Sequence, residues 1–334
     1  MKNAIYTFLF IVGLASAGGA GEQTPIAPSN SVSDVSSISG TLVVSSDGSA
    51  KFKTVQAAIN AAATGTVANP TIIRIKPGTY KELIYIQREK RFLHLVAENP
   101  TNTIVTYDLN AKMPGPDGKP IGTFRTPSTL IDADDFSAEN ITFENSAGPV
   151  GQALAIRIDG DRVAFRNCRF LGWQDTILAN RGRHYFERCY ITGHVDFIFG
   201  GATCWFEKCH IHCLRDGYIT AASTPANQPF GFVFSNCRIA GESPAVKTFL
   251  GRPWRSYASV TYLKTEMSEN IRPSGWDNWR DPARESTVRY SEFNSNGPGA
   301  NPDARVTWAR QLTAAEARAF TLQKVLGGQD GWIP

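Results

Sequence analysis

Four segments in the middle of the chain repeat at intervals of about 21 residues. They begin at Phe143, Phe165, Phe186 and Phe206, so their starts lie 22, 21 and 20 residues apart (165−143, 186−165 and 206−186). A period of this length with strand-like content is typical of a solenoid in which each repeat forms one coil. The repeat therefore predicts an all-β fold in which equivalent side chains of neighbouring coils stack about 4.7–4.9 Å apart.

The repeat also places acidic and amide side chains in two adjacent columns. The residues nine positions after each phenylalanine are Gln152, Gln174, Val195 and Arg215, and those ten positions after it are Ala153, Asp175, Asp196 and Asp216. Stacking brings Asp175 and Asp196 within roughly 5 Å of each other. Like charges at that distance repel and shift each other's pKa, which is a property of functional sites.

The first residues have the features of a secretory signal. Lys2 precedes the apolar run AIYTFLFIVGLAS, and Ala15-Ser16-Ala17 provides a small-residue cleavage site. The apolar run is short for a membrane span, so residues 1–17 predict export, to the extracellular space or a periplasm, with a membrane anchor as the alternative. Residues 18–40 are rich in Gly, Ser and Pro and predict a flexible leader, and residues 41–334 predict one domain.

The charge balance limits the class of partner. The net charge is +4, and removal of Lys2 with the signal leaves +3 (33 basic minus 30 acidic residues). This excess is too small to indicate nucleic acid, and it is compatible with a polyanionic substrate.

Four cysteines form another column of the repeat. They follow the repeat phenylalanines, or the similar Phe234, by three residues and are Cys168, Cys189, Cys209 and Cys237. Stacked coils place Cα atoms near the separation that a disulfide accepts, and an exported protein can keep disulfides. Cys189–Cys209 is the preferred bridge, and a column of buried free thiols is the alternative. A zinc site is not expected at residues 209–213, because neighbouring residues of a strand alternate faces.

Two segments predict helices at the ends of the solenoid. Residues 54–63 (TVQAAINAAA) predict a short helix with Thr54 as N-cap, which suits a cap over the exposed end of the coil stack. Residues 312–326 predict a final helix with Thr313 as N-cap and Gly327 as its stop. Between them, residues 108–127 are rich in turn formers and predict a loop that leaves the stack.

Five motifs occur in a fixed order: KPGTYKE (76–82), GQALAI (151–156), GWQDTIL (172–178), HVDFIFG (194–200) and LGRPW (250–254). Together they resemble the pectin methylesterase family. The resemblance implies a single-stranded, right-handed parallel β-helix that hydrolyses the C6 methyl ester of galacturonate units in pectin. It also implies no metal or organic cofactor and a protein that acts as a monomer on methylated homogalacturonan.

The resemblance extends over about residues 40–334 and carries functional residues with it. The family's motif positions correspond to Gln152, Gln174, Asp175, Asp196 and Arg252, with Trp254 beside the sugar chain. The tripeptide 222–224, Ala-Ser-Thr, replaces the Gln-Gly-Arg of the plant pattern and favours the bacterial branch.

The chemistry of an ester hydrolase fits these residue types independently. No G-x-S-x-G elbow is present to supply a serine, whereas an ionised carboxylate can attack an acyl carbon. Arg252 is expected to lower the pKa of Asp196 by about 1–3 units and to hold it through two hydrogen bonds. Asp175 then stays protonated, serving as general acid for methanol and afterwards as general base for water. The amides of Gln152 and Gln174 can donate to the oxyanion.

Simpler interpretations remain open for several of these residues. Stacked glutamines can form a structural ladder, and an arginine is often a solvated surface residue. Asp216 belongs to the column but not to the family motif, and it is interpreted as a turn residue. His194 receives no role.

Rings and apolar groups beside the carboxylates are candidates for sugar binding. The substrate-binding candidates are Phe199, Trp254, Trp276, Tyr218 and Val195, with Trp279 as a further ring. Core packing is the alternative for each ring except Trp254.

Three other functions compete with the esterase. A retaining glycosidase also uses carboxylates about 5 Å apart, and a Ca²⁺-dependent lyase could use Asp175, Asp196 and Asp216 as oxygen ligands. A non-catalytic carbohydrate-binding β-helix is the third. The amide pair and the arginine favour acyl transfer, because they suit an oxyanion better than an oxocarbenium ion.

Overall fold

A computed structural model describes residues 38–334, which belong to one compact unit. The expected signal (1–17) and most of the expected leader (18–40) lie outside the described residues. Among the residues that the structure describes, no helix is long and apolar enough to cross a membrane.

Parallel strands stack into the three faces of a β-helix, as the repeat predicted. Face 1 contains Thr41–Val44, Thr71–Ile75, Leu93–Val96, Ser137–Glu139, Val163–Arg166, Arg183–Glu187, Thr203–Glu207, Phe232–Ser235, Ser259–Leu263, Arg289–Phe293 and Arg310–Gln311. Face 2 contains Gly78–Lys81, Thr103–Tyr107, Thr142–Asn145, Arg169–Leu171, the beginnings of Tyr190–Gly200 and His210–Ala222, Arg238–Gly241 and Glu266–Met267. Face 3 contains Ile84–Ile86, Thr129–Ile131, Ile156–Ile158, Ile177–Ala179, the ends of the same two long strands, and Thr248–Gly251.

The two long strands bend around the corner between face 2 and face 3. Tyr190–Gly200 pairs first with Arg169–Leu171 and then with Ile177–Ala179, and its register against His210–Ala222 shifts on both sides of Val195. Gly193 permits the bend, because a Cβ there would lie 2.2 Å from the Cβ of Phe197. The candidate nucleophile, Asp196, therefore lies at a corner where the strand changes direction.

Stacked aromatic rings fill the inside of face 1. Phe165, Phe186, Phe206 and Phe234 stack on one another with ring centroids 5.1, 4.6 and 4.4 Å apart, and Tyr262 continues the stack at 4.5 Å. Each ring is completely shielded from solvent. The predicted repeat is confirmed from Phe165 onward.

The expected equivalence of Phe143 with the later repeat phenylalanines is wrong. Phe143 lies on face 2, where it pairs with Phe170, whereas Phe165 pairs with Ala138 on face 1. The coil before Phe165 has a different distribution of loop residues. The spacing of 22 residues therefore relates equivalent positions only at the end of the segment, where Gln152 pairs with Gln174.

The cysteine column is confirmed, but the expected Cys189–Cys209 disulfide is wrong. All six thiols are free and buried. The sulfur of Cys189 lies 3.7 Å from the carbonyl oxygen of Phe165, and that of Cys209 lies 3.4 Å from the carbonyl oxygen of Phe186. Each of these two thiols contacts the backbone of the preceding coil and stays a small apolar group with a weak donor.

Short helices lie near both ends of the described chain. The first, Val55–Ala61, buries Val55, Ala58 and Ile59 against the first coil, and the Thr54 hydroxyl caps it as predicted. The Glu82 carboxylate accepts from two N–H groups at its start, at 2.8 and 2.9 Å, which gives the last residue of KPGTYKE a structural role.

The expected single helix over 312–326 is instead two helices, Ala314–Ala317 and Leu322–Leu326. Thr313 forms the predicted cap, with a capping box to Glu316. The break arises because Thr321 caps a second helix through the N–H of Lys324. The 3₁₀ helices are Thr123–Arg125, Pro282–Ser286 and Pro302–Ala304.

Candidate active site

The two carboxylates of the predicted column lie on neighbouring coils. Ile177 pairs with Ile198, which places Asp175 opposite Asp196, and the N–H of Asp175 donates to the carbonyl of Val195 at 3.1 Å. The side chains are largely shielded, with Asp175 7% and Asp196 6% exposed. The proximity expected from the repeat is therefore present in the fold.

The two carboxyl groups have different electrostatic environments. Burial, followed by the charge of Asp196, raises the pKa of Asp175 well above its usual value, against an opposing effect of Arg252. Burial also raises the pKa of Asp196, although its hydrogen bonds and charge interaction with Arg252 lower it. The expected net lowering of the Asp196 pKa is therefore wrong, because desolvation outweighs the arginine. The order of the pair remains as expected, since Asp175 holds its proton more strongly.

Arg252 holds Asp196 through a two-pronged contact. Its Nε lies 2.8 Å from Oδ1 of Asp196, and its Nη2 lies 2.7 Å from Oδ2. Pairs of this geometry fix the plane of the carboxylate as well as its charge. The solvated-arginine alternative is thereby excluded for Arg252, which is half-buried against the acid that the sequence assigned to it.

The two glutamines of the predicted column are neighbours, and their side-chain amides are not engaged in protein hydrogen bonds within the described residues. Gln152 and Gln174 form a parallel backbone bridge, so they occupy matching positions on neighbouring coils. Within residues 38–334, neither side-chain amide makes a hydrogen bond to protein. The geometry argues against a structural ladder, in which the amides would bond to each other, and leaves their N–H groups available in the cleft.

A cleft of about 290 Å³ opens over these residues. Besides the two aspartates, the two glutamines and Arg252, its lining consists of Thr123, Phe124, Phe199, Ala221, Trp254 and Trp279. Trp254 lies between two other rings, with centroids 6.4 Å from Phe124 and 5.8 Å from Phe199. Phe199 is only 5% exposed and forms part of the cleft floor.

Sequence reasoning missed the contribution of the loop 108–127. Its 3₁₀ turn, Thr123–Arg125, brings Thr123 and Phe124 to the edge of the cleft, where Phe124 is half exposed. The composition of the loop indicated only that it leaves the stack. A phenylalanine among turn-forming residues is the one sequence signal that could have indicated a contact surface here.

Two rings that were expected to bind sugar do not line the cleft. Trp276 is a core residue, 1% exposed, with its ring 4.3 Å from that of Tyr290 and its Nε1 3.3 Å from Glu292, so the prediction for it is wrong. Tyr218 is not part of the cleft lining, because its ring faces Arg252 at 3.8 Å and stacks on Phe249.

Two further residues of the columns lie outside the cleft lining. Val195 is partly exposed on the strand that leads to Asp196, and its role in binding stays a prediction. Asp216 is an exposed strand residue rather than a turn residue, and it contacts Arg272 at 3.3 Å and the N–H of Lys247 at 2.8 Å. The register shift around Val195 moves it out of line with the other two aspartates.

Comparison with known proteins gives a consistent result. The family model described as Pectinesterase matches residues 41–329. Pectinesterase 31 of Arabidopsis thaliana is 42% identical over 283 residues, which are 83% of this chain and 89% of that protein. The solved structure of pectin methylesterase from carrot is similar with a TM-score of 0.81 and 34% identity, covering 88% of this chain and 95% of that one.

A bacterial structure is also similar, but less so. Pectin methylesterase PemA from Erwinia chrysanthemi has a TM-score of 0.76 and 30% identity, covering 89% of this chain and 100% of its own. The two plant proteins are more similar to this chain than PemA is, so these comparisons do not support the expected closeness to the bacterial branch. That expectation relied on residues 222–224 alone, and Ala222 and Thr224 are buried positions whose identity reflects packing.

Proposed function

Because the chain belongs to the pectinesterase family, we propose that it hydrolyses the C6 methyl esters of galacturonate units in pectin. The products are methanol and de-esterified pectate. The observation that carries the proposal is the Asp196 carboxylate, held at both oxygens by Arg252 beside a buried Asp175 whose pKa is raised. A nucleophile, an acid and an anchor are the parts that acyl transfer requires.

Asp196 is the nucleophile of the proposed reaction. One of its carboxylate oxygens attacks the ester carbonyl carbon, and the electron pair of the C=O bond moves to the carbonyl oxygen. Arg252 favours the ionised form of Asp196 and orients it without covering the whole carboxylate, because its two donors approach from one side. The tetrahedral intermediate then breaks its bond to the methoxy oxygen and leaves an acyl anhydride on Asp196.

Asp175 moves the protons of both half-reactions. Its raised pKa keeps it protonated, so it donates a proton to the departing methoxy oxygen and methanol leaves. The resulting carboxylate accepts a proton from water as the water oxygen attacks the acyl carbon. Collapse of the second intermediate releases the acid product, frees Asp196 and leaves Asp175 protonated again.

The two glutamines stabilise the oxyanion of each intermediate. Gln152 and Gln174 line the cleft beside Asp175 and Asp196, and their amide N–H groups have no competing protein acceptor in the part of the chain that the structure describes. Donors aimed at a developing oxyanion typically each contribute about 10²–10³ in rate. Their placement supports an acyl oxyanion and gives no comparable aid to an oxocarbenium ion.

The lining of the cleft suits a sugar polymer. Trp254, Phe124 and Phe199 present ring surface next to the carboxylates, and we assign Trp254 to the sugar face. The cleft is open rather than enclosed, as a chain substrate requires, and methylated homogalacturonan is the proposed partner.

Export and assembly belong to the same proposal. The signal-like residues 1–17 support secretion, to the extracellular space or a periplasm. The proposal also includes a protein that acts as a monomer without a cofactor. N-terminal sequencing of the exported protein tests the cleavage, which is expected before Gly18. Size-exclusion chromatography with light scattering tests the monomer.

The competing pectin-active functions receive less support. A lyase needs a Ca²⁺ cage, and Asp216 lies outside the cleft, so the three aspartates do not converge. A glycosidase has no comparable use for the two amides beside the carboxylates, because they suit an oxyanion better than an oxocarbenium ion.

Product analysis on methylated pectin tests the proposal. We expect methanol without new reducing ends and without unsaturated ends, and no change when a chelator is added. Reducing ends without methanol would indicate a glycosidase, and unsaturated ends that a chelator abolishes would indicate a lyase. Absence of any product with the folded protein would leave the carbohydrate-binding alternative and overturn the esterase.

A further inference from the structure

The guanidinium of Arg252 is enclosed between two aromatic rings. Its Cζ lies 3.8 Å from the centroid of Tyr218 and 3.8 Å from the centroid of Trp279. Cation–π contacts are favourable within about 6 Å, so both rings are in close contact with the cation. We propose that Trp279 and Tyr218 are positioning residues that hold Arg252, and through it Asp196, in the reactive orientation. This inference rests on the proposed function.

The backbone of Trp279 is held in a conformation that bulky residues rarely adopt. Its φ is 60°, and that of Arg280 is 56°. Such strain persists only where surrounding contacts impose it, and it concentrates at functional sites. The N–H of Trp279 donates to the Asp277 carboxylate at 2.7 Å, and the N–H of Arg280 donates to the Asn278 side chain at 2.9 Å.

The same segment is tied to the strand that carries Arg252. The N–H of Asp277 donates to the carbonyl of Gly251 at 3.1 Å, one residue before Arg252. On the other side, the Asn278 amide donates to Glu285 at 2.7 Å. The strained turn is therefore anchored at both ends, and the ring of Trp279 is placed relative to the backbone of the arginine that it covers.

Tyr218 is fixed on the opposite side of the guanidinium. It pairs with Val195 on the coil of Asp196 and with Phe249 on the coil of Arg252, so it bridges the two strands that the ion pair joins. Its ring also stacks on that of Phe249 at 5.3 Å with an interplanar angle of 9°. Tyr218, Arg252 and Trp279 thus form a ring–cation–ring sandwich, and protein contacts alone hold both of its rings in position.

A flat cation between two rings keeps its donors in one plane. Both donors of Arg252 meet Asp196 in that plane, so removal of a ring frees the guanidinium to tilt and to lose one of the two hydrogen bonds. The sandwich thus acts on the nucleophile. A ring that served as a sugar platform would act on substrate affinity instead.

Ring-removing variants separate these roles. We expect Trp279→Leu and Tyr218→Leu to lower kcat by about tenfold each, as loss of one desolvated cation–π contact implies, with KM little changed. Trp279→Phe and Tyr218→Phe, which keep a ring, should restore most of the rate. Trp332→Leu is the matched control, because Trp332 contacts Arg183 at 5.7 Å, away from the cleft.

The pH profile of kcat/KM supplies a second measure. A tilted Arg252 stabilises the Asp196 anion less, so the acidic limb should move to higher pH in both leucine variants. The other groups that influence Asp196 are Asp175, Asp277 and His194, and all three are unchanged in these variants. A general loss of stability lowers the active fraction without moving this limb.

An observation independent of catalysis keeps the two proposals apart. The Nε–H of Arg252, bonded to Asp196, should give a slowly exchanging ¹⁵N-edited NMR signal in wild type that broadens or exchanges rapidly in Trp279→Leu. A protected signal in that variant, or a rise in KM with unchanged kcat, would overturn the positioning role. If wild type released no methanol while the NMR result held, the esterase would fail and the sandwich would stand.

Discussion

Asp175 and Asp196 occupy the same position on neighbouring coils, and both have a left-handed backbone, with φ of 65° and 53°. Among residues other than glycine, asparagine and aspartate enter this region most readily. The corner between face 2 and face 3 thus selects for the residue types that the chemistry uses. An asparagine can replace either aspartate without a change in backbone or size.

The asparagine variants separate the roles of the two acids. Asp196→Asn removes the nucleophile, so methanol release should fall to background. Asp175→Asn removes the proton donor and should lower kcat by about 10²–10⁴-fold with polymer binding intact. Asp216→Asn, on the next coil and outside the cleft, is the matched control and should retain activity. Steady-state methanol release checks all three, and substantial turnover by Asp196→Asn would falsify the nucleophile assignment.

The raised pKa of Asp175 also predicts how stability depends on pH. An unfolded aspartate loses its proton near pH 3.8, whereas folded Asp175 retains it, so the free energy of unfolding falls as pH rises above that value toward the raised pKa. Asp175→Asn removes this loss. The Tm of the variant should therefore exceed that of wild type by a margin that grows with pH, as measured by calorimetry. A margin independent of pH would contradict the shift.

The stacked part of the fold was predictable because a period constrains it. From Phe165 to Phe234, every coil repeats the same inward phenylalanine, and the column argument correctly brought Asp175 next to Asp196. The same argument failed where loop lengths change. Phe143 is displaced to face 2, and the register shift around Val195 carries Asp216 out of line. A residue count gives the length of a coil but not the place of a loop or bulge within it.

The cleft was predictable only where the repeat columns or the family motifs reach it. Thr123, Phe124 and Trp279 come from segments between strands, whose path no repeat determines. Trp276 and Trp279 show the same limit within one turn: three residues apart, one is buried against Tyr290 and the other covers Arg252. The different positions of the two rings depend on the strained backbone of that turn, which cannot be read from the sequence composition.

His184 predicts a loss of stability in mild acid. Its Nε2 lies 3.1 Å from the carbonyl of Gly160 and its Nδ1 3.7 Å from the sulfur of Cys204, so the buried ring is satisfied as a neutral imidazole. Burial lowers its pKa from 6.5 to about 4. The unfolded state binds the extra proton below pH 6.5, so the free energy of unfolding should fall by about 3 kcal/mol between there and pH 4.

Denaturant titrations between pH 4 and pH 7 test this effect in wild type and His184→Gln. The glutamine can donate to Gly160 but cannot ionise, so the variant should show a weaker decline toward acid, from a lower starting stability. An equal decline in both proteins would assign the acid sensitivity to other groups.

The free thiols predict a simple redox behaviour. Every cysteine is at most 2% exposed, and burial raises the pKa of Cys168, Cys204, Cys209 and Cys213. Thiol reagents should therefore find no reactive group in the native protein and six after denaturation without reductant. Added reductant should leave Tm unchanged. A count of only four reactive thiols after denaturation would show that one disulfide is present, with Cys189–Cys209 as the first candidate.

Trp254 and Trp276 should respond in opposite ways to the same truncation. Trp276 is buried against Tyr290 and bonded to Glu292, so Trp276→Ala should lower the free energy of unfolding by about 3–5 kcal/mol. Trp254 lies in the cleft beside Phe124, so Trp254→Ala should raise KM for methylated pectin and leave Tm nearly unchanged. Calorimetry and methanol-release kinetics on both variants check the contrast. A drop in Tm for Trp254→Ala as large as that for Trp276→Ala would make it a core residue as well, and would remove it from the sugar-binding surface.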